Sequence, residues 1–319
     1  MKKILLSVLL SVQAGFGFAQ QDPQFTQNMF LKLPVNPGYA GIKGMICGTA
    51  AYRSQWVNFP GAPKTFLFTA DMPVPEIGGG AGFTVMKDKL GNFNFTSARA
   101  AYSYHIPVNN EKGLLGIGFE LGMLQASVDN NWLAPDGSNG YYDNAIPNGF
   151  INKASYDFGA GFYYNSQKLH AGFSVSHLPG KSEKLTAISF NYHAARHYYL
   201  TAGYDFSPSK RITLRPSVFA KTDGAVIALD FHCDILFDES IWGGISYRLK
   251  DAIAPMIGAV VYSTRTSFLK IGYAYDIGTS DLKVHHANTH EIVVNYCIKF
   301  ESPKGSHIPP RFMWGKYES

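Results

Sequence analysis

The run Glu291-Ile292-Val293-Val294-Asn295-Tyr296-Cys297-Ile298-Lys299-Phe300 constrains this chain most, because its character changes at every second residue. Ile292, Val294, Tyr296, Ile298 and Phe300 share one face of a two-residue repeat, and Glu291, Asn295 and Lys299 share the other. One face suits lipid and the other a wet interior, and the run closes on an aromatic. This pattern fits a strand of an outer-membrane β-barrel.

The start of the chain agrees. Lys2 and Lys3 precede a short apolar run over 4–12, and Gly17-Phe18-Ala19 offers small residues to a signal peptidase. Cleavage is expected after Ala19, so residues 1–19 read as a signal peptide and the mature chain starts near Gln20. No Cys stands at the cut to take a lipid, and the run is shorter than the roughly 20 residues a spanning helix needs. Hydrophobic residues make up 46% of the chain, yet no later window of that length is charge-free, so the apolar content is dispersed by alternation. A soluble array of β-sandwiches could share this composition; the leader decides for the membrane.

Alternating runs of about ten residues fall near 43–53, 62–73, 79–87, 92–106, 113–127, 154–165, 168–177, 196–206, 210–221, 225–237, 239–249, 252–262, 266–276 and 287–300. They predict an all-β fold, a transmembrane antiparallel up-and-down barrel of about 14 strands. Tyr198, Leu200, Ala202, Tyr204 and Phe206 face lipid in one strand, and Ile212, Leu214, Pro216, Val218 and Ala220 in the next. Arg211, Thr213, Arg215, Ser217 and Lys221 face inward, as do Asp230, His232, Asp234, Arg248, Lys270, Asp276, Glu291 and Lys299. A charge on the lipid face near midplane would cost about 2–4 kcal/mol, so this confinement supports the register. Pro216 lacks a ladder donor and predicts a bulge. Arg211 and Arg215 are expected to face Asp230 and Asp234 and cross-link the lumen.

Connection lengths give an orientation. The connections 73–79, 107–112, 165–168, 207–210, 238–239 and 263–265 are brief, as periplasmic turns are, while 54–61, 128–153, 177–195 and 278–287 hold the longer insertions. Both mature termini are then expected in the periplasm: 20–42 as an N-terminal segment, 43–300 as the barrel and 301–319 as a C-terminal tail. The Asn36-Pro37-Gly38 turn and Tyr39 could fold into the inner mouth.

Little here points to catalysis. Cys47, Cys233 and Cys297 are odd in number and widely spaced, so they read as small wall residues rather than as a disulfide framework or zinc site. His286 and His290 have a helical metal-ligand spacing, but on a strand His290-Glu291 is an ordinary strand start, so no metal and no cofactor is expected. Gly78-Gly79-Gly80-Ala81-Gly82 reads as a turn entering a strand, since no helix pattern follows. No nucleophile elbow or Ser/His/Asp order occurs, and a formal charge of +5 without a basic run gives no nucleic-acid role. An enzyme is not expected.

Several segments together carry a resemblance. Gln21-Asp22-Pro23-Gln24-Phe25-Thr26-Gln27-Asn28-Met29-Phe30 and Val35-Asn36-Pro37-Gly38-Tyr39-Ala40-Gly41 open it. Tyr52-Arg53-Ser54-Gln55-Trp56, Gly61-Ala62-Pro63-Lys64-Thr65 and Arg196-His197-Tyr198-Tyr199-Leu200-Thr201-Ala202-Gly203-Tyr204 continue it. Ser246-Tyr247-Arg248, Ile271-Gly272-Tyr273-Ala274-Tyr275-Asp276, Ser280-Asp281-Leu282 and His290-Glu291-Ile292 complete it. The chain resembles the PorP/SprF family of Bacteroidota outer-membrane proteins over nearly its whole mature length. That resemblance implies a non-enzymatic barrel of the type IX secretion and gliding-motility apparatus. Its partners would be a periplasmic ring lipoprotein with its partner subunit, or a secreted surface adhesin.

The tail bears on that choice. Pro303, Pro309 and Pro310 stiffen a spacer before Arg311, Phe312, Trp314 and Tyr317, a set suited to docking a periplasmic partner, which leans towards the PorP-like, core-complex member. Trp56 and Phe59 in the first outer loop, and Trp132, Tyr141 and Tyr142 in the long one, are the outer candidates for partner binding. The alternative function is a small-solute channel similar to fatty-acid transporters.

Overall fold

The computed structural model describes residues 22–108, 112–129, 151–180, 182–185, 190–279 and 288–299. Fourteen strands close a barrel: β1 (Met45–Ser54), β2 (Lys64–Val74), β3 (Gly79–Leu90), β4 (Phe93–Val108), β5 (Gly113–Val128), β6 (Ile151–Ser166), β7 (Leu169–Ser176), β10 (His197–Tyr204), β11 (Ile212–Thr222), β12 (Ile227–Phe237), β13 (Ile241–Arg248), β14 (Ala252–Ser263), β15 (Ser267–Gly278) and β16 (Thr289–Lys299). Each alternating run of the sequence is one of these strands. β8 (Ser182–Leu185) and β9 (Phe190–His193) form a separate hairpin between β7 and β10, which pair directly. β1 pairs with β16 and leaves no edge in the ring.

The two-residue period sorts the side chains. Phe66, Phe119, Phe162, Leu200, Ile245 and Ile292 are exposed on the outer surface, whereas Arg53, Arg99, Glu120, Asp157, Asp230, Arg248, Asp276 and Glu291 are buried inside. β5, β6, β13 and β16 each carry members of both sets, so a one-residue slip of such a strand would put its charges in hydrocarbon. Among the described residues no helix is long and apolar enough to cross a membrane; the strands do so.

Some expectations require correction. Cys47 and Cys297 are bonded to each other: they are directly opposed on β1 and β16, which closure brings together across the chain's full length. Cys233 alone remains a free wall cysteine. Pro216 causes no bulge. The β10–β11 ladder stops at Gly203 and Ser217 and resumes in the same register at Phe206 and Leu214, so the missing donor leaves a gap without a shift. A register shift occurs instead between Val260 and Tyr262. Inside the wall Arg215 pairs with Asp234, while Asp230 is taken by Arg248; Arg211 is exposed and pairs with Asp238.

The largest departure is the N-terminal segment. The Asn36-Pro37-Gly38 turn and Tyr39 sit inside the mouth as the sequence suggests, but the rest of the described part, from residue 22 on, lies inside the barrel as well. Proline and glycine keep the segment from any strand or α-helix, so its backbone closes on itself in tight turns: Phe30 N–H to Gln27 O, Leu31 N–H to Asn28 O, Tyr39 N–H to Asn36 O. A 3₁₀ turn, Pro37–Tyr39, is capped by the Asn36 side chain, which accepts from Gly38 N–H. Gly41 and Gly44, at φ 68° and 69°, turn the chain into β1.

Candidate functional site: the plugged lumen

Residues 22–44 run along the lumen, held at three levels. Near the end carrying the long connections, Asp22 meets four wall groups. Its carboxylate lies 3.0 Å from His177 Nε2 and accepts from the Tyr199 hydroxyl; its carbonyl accepts from Lys221 Nζ at 2.7 Å; its N–H donates to His197 Nε2 at 3.2 Å. His177 Nδ1 faces Asp157 at 2.9 Å, so one imidazole sits between two carboxylates. Burial works to raise the Asp22 carboxyl, but the charge on His177 outweighs it and holds the group well below the usual range. Burial likewise opposes protonation of His177, and the two carboxylates overcome it, holding the ring at about 10.

Asp22, His177 and His197 have the grouping of a metal site. Their hydrogen bonds fit a latch better. Both ring nitrogens of His177 are committed to carboxylates, and His197 Nε2 must accept the Asp22 N–H while Nδ1 donates to Ala195 O at 2.9 Å.

The second level spans the seam. Glu291 accepts the backbone N–H of Thr26 at 2.8 Å and of Gln27 at 2.7 Å. Arg53 donates to Glu291, to Asp276 and to Thr26 Oγ1, and Arg248 ties Asp230 to Asp276. Gln24 donates to Asp230, and Asn28 contacts His232. The lumen charges therefore hold the plug as well as one another, and desolvated charge-assisted bonds of this kind are the strong ones.

At the third level side chains of wall and plug bond to each other's backbone carbonyls. Ser103 Oγ donates to Gly38 O and Ser174 Oγ to Val35 O, while Asn36 Nδ2 donates to Phe162 O and Arg99 to Pro34 O. Gly116 and Gly118 of β5 make this approach possible: a Cβ on either would overlap the Pro37–Gly38 backbone. Apolar contacts fill the rest. Leu31 packs on Ala51, Leu67 and Val293; Leu33, Tyr39 and Ile42 on Leu114 and Tyr163; Phe30 on Trp242 at 5.4 Å between rings.

The sequence candidates lie elsewhere. Trp56 and Phe59 share the β1–β2 connection, joined by Phe59 N–H to Trp56 O; Phe59 is exposed and Trp56 N–H donates to Thr289 Oγ1. Trp132, Tyr141, Tyr142, Arg311, Phe312, Trp314 and Tyr317 lie outside the described residues, as do the leader, residues 301–319, Phe300, His285 and His286. His290 turns outward to Tyr273 while Glu291 turns inward. None of the plug-holding residues is among the sequence candidates, although Arg53, Tyr199, Arg248, Asp276 and Glu291 all fall in the resemblance segments.

Fold and lumen together define a plugged outer-membrane β-barrel. Residues 17–296 match the family described as type IX secretion system membrane protein PorP/SprF, and the chain belongs to that family. It is thus an outer-membrane component of the type IX secretion system. No curated protein sequence matches it. Among solved structures it is similar to the CymD monoaromatic hydrocarbon channel, with TM-score 0.50 at 11% identity, covering 90% of this chain and 96% of that one. A TodX deltaS2S3 mutant, also a monoaromatic hydrocarbon channel, has TM-score 0.46 at 9% identity, covering 80% and 90%. A Pseudomonas aeruginosa FadL homologue has 0.42 at 9%, covering 81% and 89%. At such identities the likeness to CymD is one of fold.

Proposed function

We propose that this barrel is a non-enzymatic part of the secretion apparatus that works by binding proteins rather than by conducting solutes. One observation carries the reading: residues 22–44 occupy the lumen from the His177 level down to the short turns and are fixed by buried ion pairs at the seam. A passage for solutes would require this segment to leave, breaking the Glu291 and Asp276 contacts together.

The short turns then face the periplasm. The tail 301–319, with Arg311, Phe312, Trp314 and Tyr317, docks a periplasmic ring lipoprotein or its partner subunit. Trp56 and Phe59, with Trp132, Tyr141 and Tyr142, meet the secreted protein outside, a surface adhesin among the candidates. Exposed aromatics on connections anchored to a rigid wall suit such contacts.

The test pairs two measurements. Purified protein in planar bilayers should be silent, and affinity purification from native membranes should recover secretion-system subunits, fewer of them after deletion of 301–319. A stable open pore would overturn the binding reading; an unchanged partner set after truncation would remove the tail from it.

A further inference from the structure

We propose that the short-turn mouth of the lumen holds a binding site for a small, multiply charged anion of the organic phosphate or polycarboxylate class. A cavity of about 300 Å³ lies there between plug and wall. Its cations come from separate elements: Lys32 and Lys43 from the plug, Lys168 from the β6–β7 turn, Arg215 from β11 and Lys270 from β15. Asp205 and Asp234 are its carboxylates, and Asp234 is already engaged by Arg215 Nε at 2.6 Å.

The lysines are gathered in a way that a merely structural mouth does not need. The Lys32 and Lys43 ammonium groups lie 5.9 and 5.8 Å from the centroid of the same Tyr39 ring, and Lys32 is also 5.6 Å from that of Tyr163. Lys270 stands 4.4 Å from the Phe268 centroid. Among the described residues neither Lys32 nor Lys43 forms an ion pair; the charges of Asp205 and Asp234 act on Lys32 and that of Asp71 on Lys43 only from beyond that distance. Ring faces offset a cation only weakly, so like charges sit together with an open space between them. An anion in that space would relieve the repulsion. Burial, then the neighbouring charge of Lys43, pulls Lys32 down to about 7, so binding should draw a proton onto it near neutrality.

Size and position narrow the ligand. The volume is at the small end of ligand sites, enough for two or three charged groups on a short carbon frame. The cavity is inside the ring, whereas lipid touches the outer face, so the anion comes from solution rather than from a headgroup.

The experiment is calorimetric titration of the full chain in detergent with pyrophosphate and with citrate, in two buffers of different ionisation enthalpy at pH 7.5. Saturable one-site binding with proton uptake is expected, weakened at least tenfold in Lys32→Gln/Lys43→Gln. Because those changes could loosen the plug, Lys270→Gln in the wall is measured alongside, and a several-fold loss is expected there too. Absence of saturable binding to either probe, or unchanged affinity in the wall variant, would overturn the site. Binding of dihexanoyl phosphatidylglycerol but of neither free anion would overturn its assignment to a soluble ligand.

Discussion

Arg53 and Glu291 are direct partners in the β1–β16 ladder, and their side chains meet inside the barrel at 2.9 Å, on the line where the ring closes. The same carboxylate receives two backbone N–H groups of the plug. Seam and plug therefore share one buried ion pair. Replacing Arg53 with Met leaves Glu291 and Asp276 facing each other in a desolvated space. Removing one member of a buried pair costs about 3–5 kcal/mol. The R53M barrel should unfold at lower denaturant in detergent, and its plug should become protease-sensitive first. Equal sensitivity of wild type and variant would separate the pair from plug retention.

Gly118 tests the cradle without touching a charge. Gly118→Ala puts a Cβ into the Pro37–Gly38 backbone, which is itself pinned by Ser103, so plug and wall cannot both keep their places. Gly48→Ala, with no atom within 4 Å of the new Cβ, is the matched control. Trypsin should cut at Lys32 or Lys43 in G118A and spare them in G48A, with both barrels still migrating as folded. Cleavage at the same rate in both would show that the approach is not tight.

The wall was legible because lipid and water act on each residue separately: Leu200 and Tyr199 answer to opposite solvents whatever the rest of the chain does. The plug obeys no such local demand. Thr26 has no periodicity around it, and its partners Asp276 and Glu291 stand near the other end of the sequence. Inward charges are readable as inward, and the Arg215–Asp234 pair with them, but the mate of Asp230 is not, since register decides that Arg248 and not Arg211 reaches it. Gly116 and Gly118 looked like ordinary small strand residues, because what approaches them is chain from outside the wall.

The Asp22 latch carries a pH dependence whose sign follows from His177. Its ordinary value is about 6.5, and in the folded protein it stands at about 10. Protonation therefore favours the docked state: the contribution is full below about 6.5, declines as pH rises, and is gone above 10. Asp22, held low, contributes above its ordinary range near 3.8 and is lost only in strong acid. A spin label on Pro23→Cys in a Cys233→Ser background should be immobile near neutrality and mobile above pH 10. His177→Gln should be mobile already at neutral pH. A label equally immobile at pH 7 and pH 10.5 would mean that His177 does not hold the latch.

Cys47 and Cys297 give the seam a second, covalent tie, closing a loop with sequence separation 250. Loop-closure entropy for that length corresponds to about 5 kcal/mol against the unfolded chain. The register makes the pair specific: an antiparallel β1–β16 ladder that sets Met45 opposite Lys299 must set Cys47 opposite Cys297. Boiled without reductant, the protein should migrate faster in denaturing gels than with reductant, and Cys297→Ser should migrate as the reduced form under both conditions. The unboiled folded band should survive in C297S, since Arg53, Glu291 and the full ladder still close the ring. Loss of that band would mean that the ladder alone cannot hold the seam.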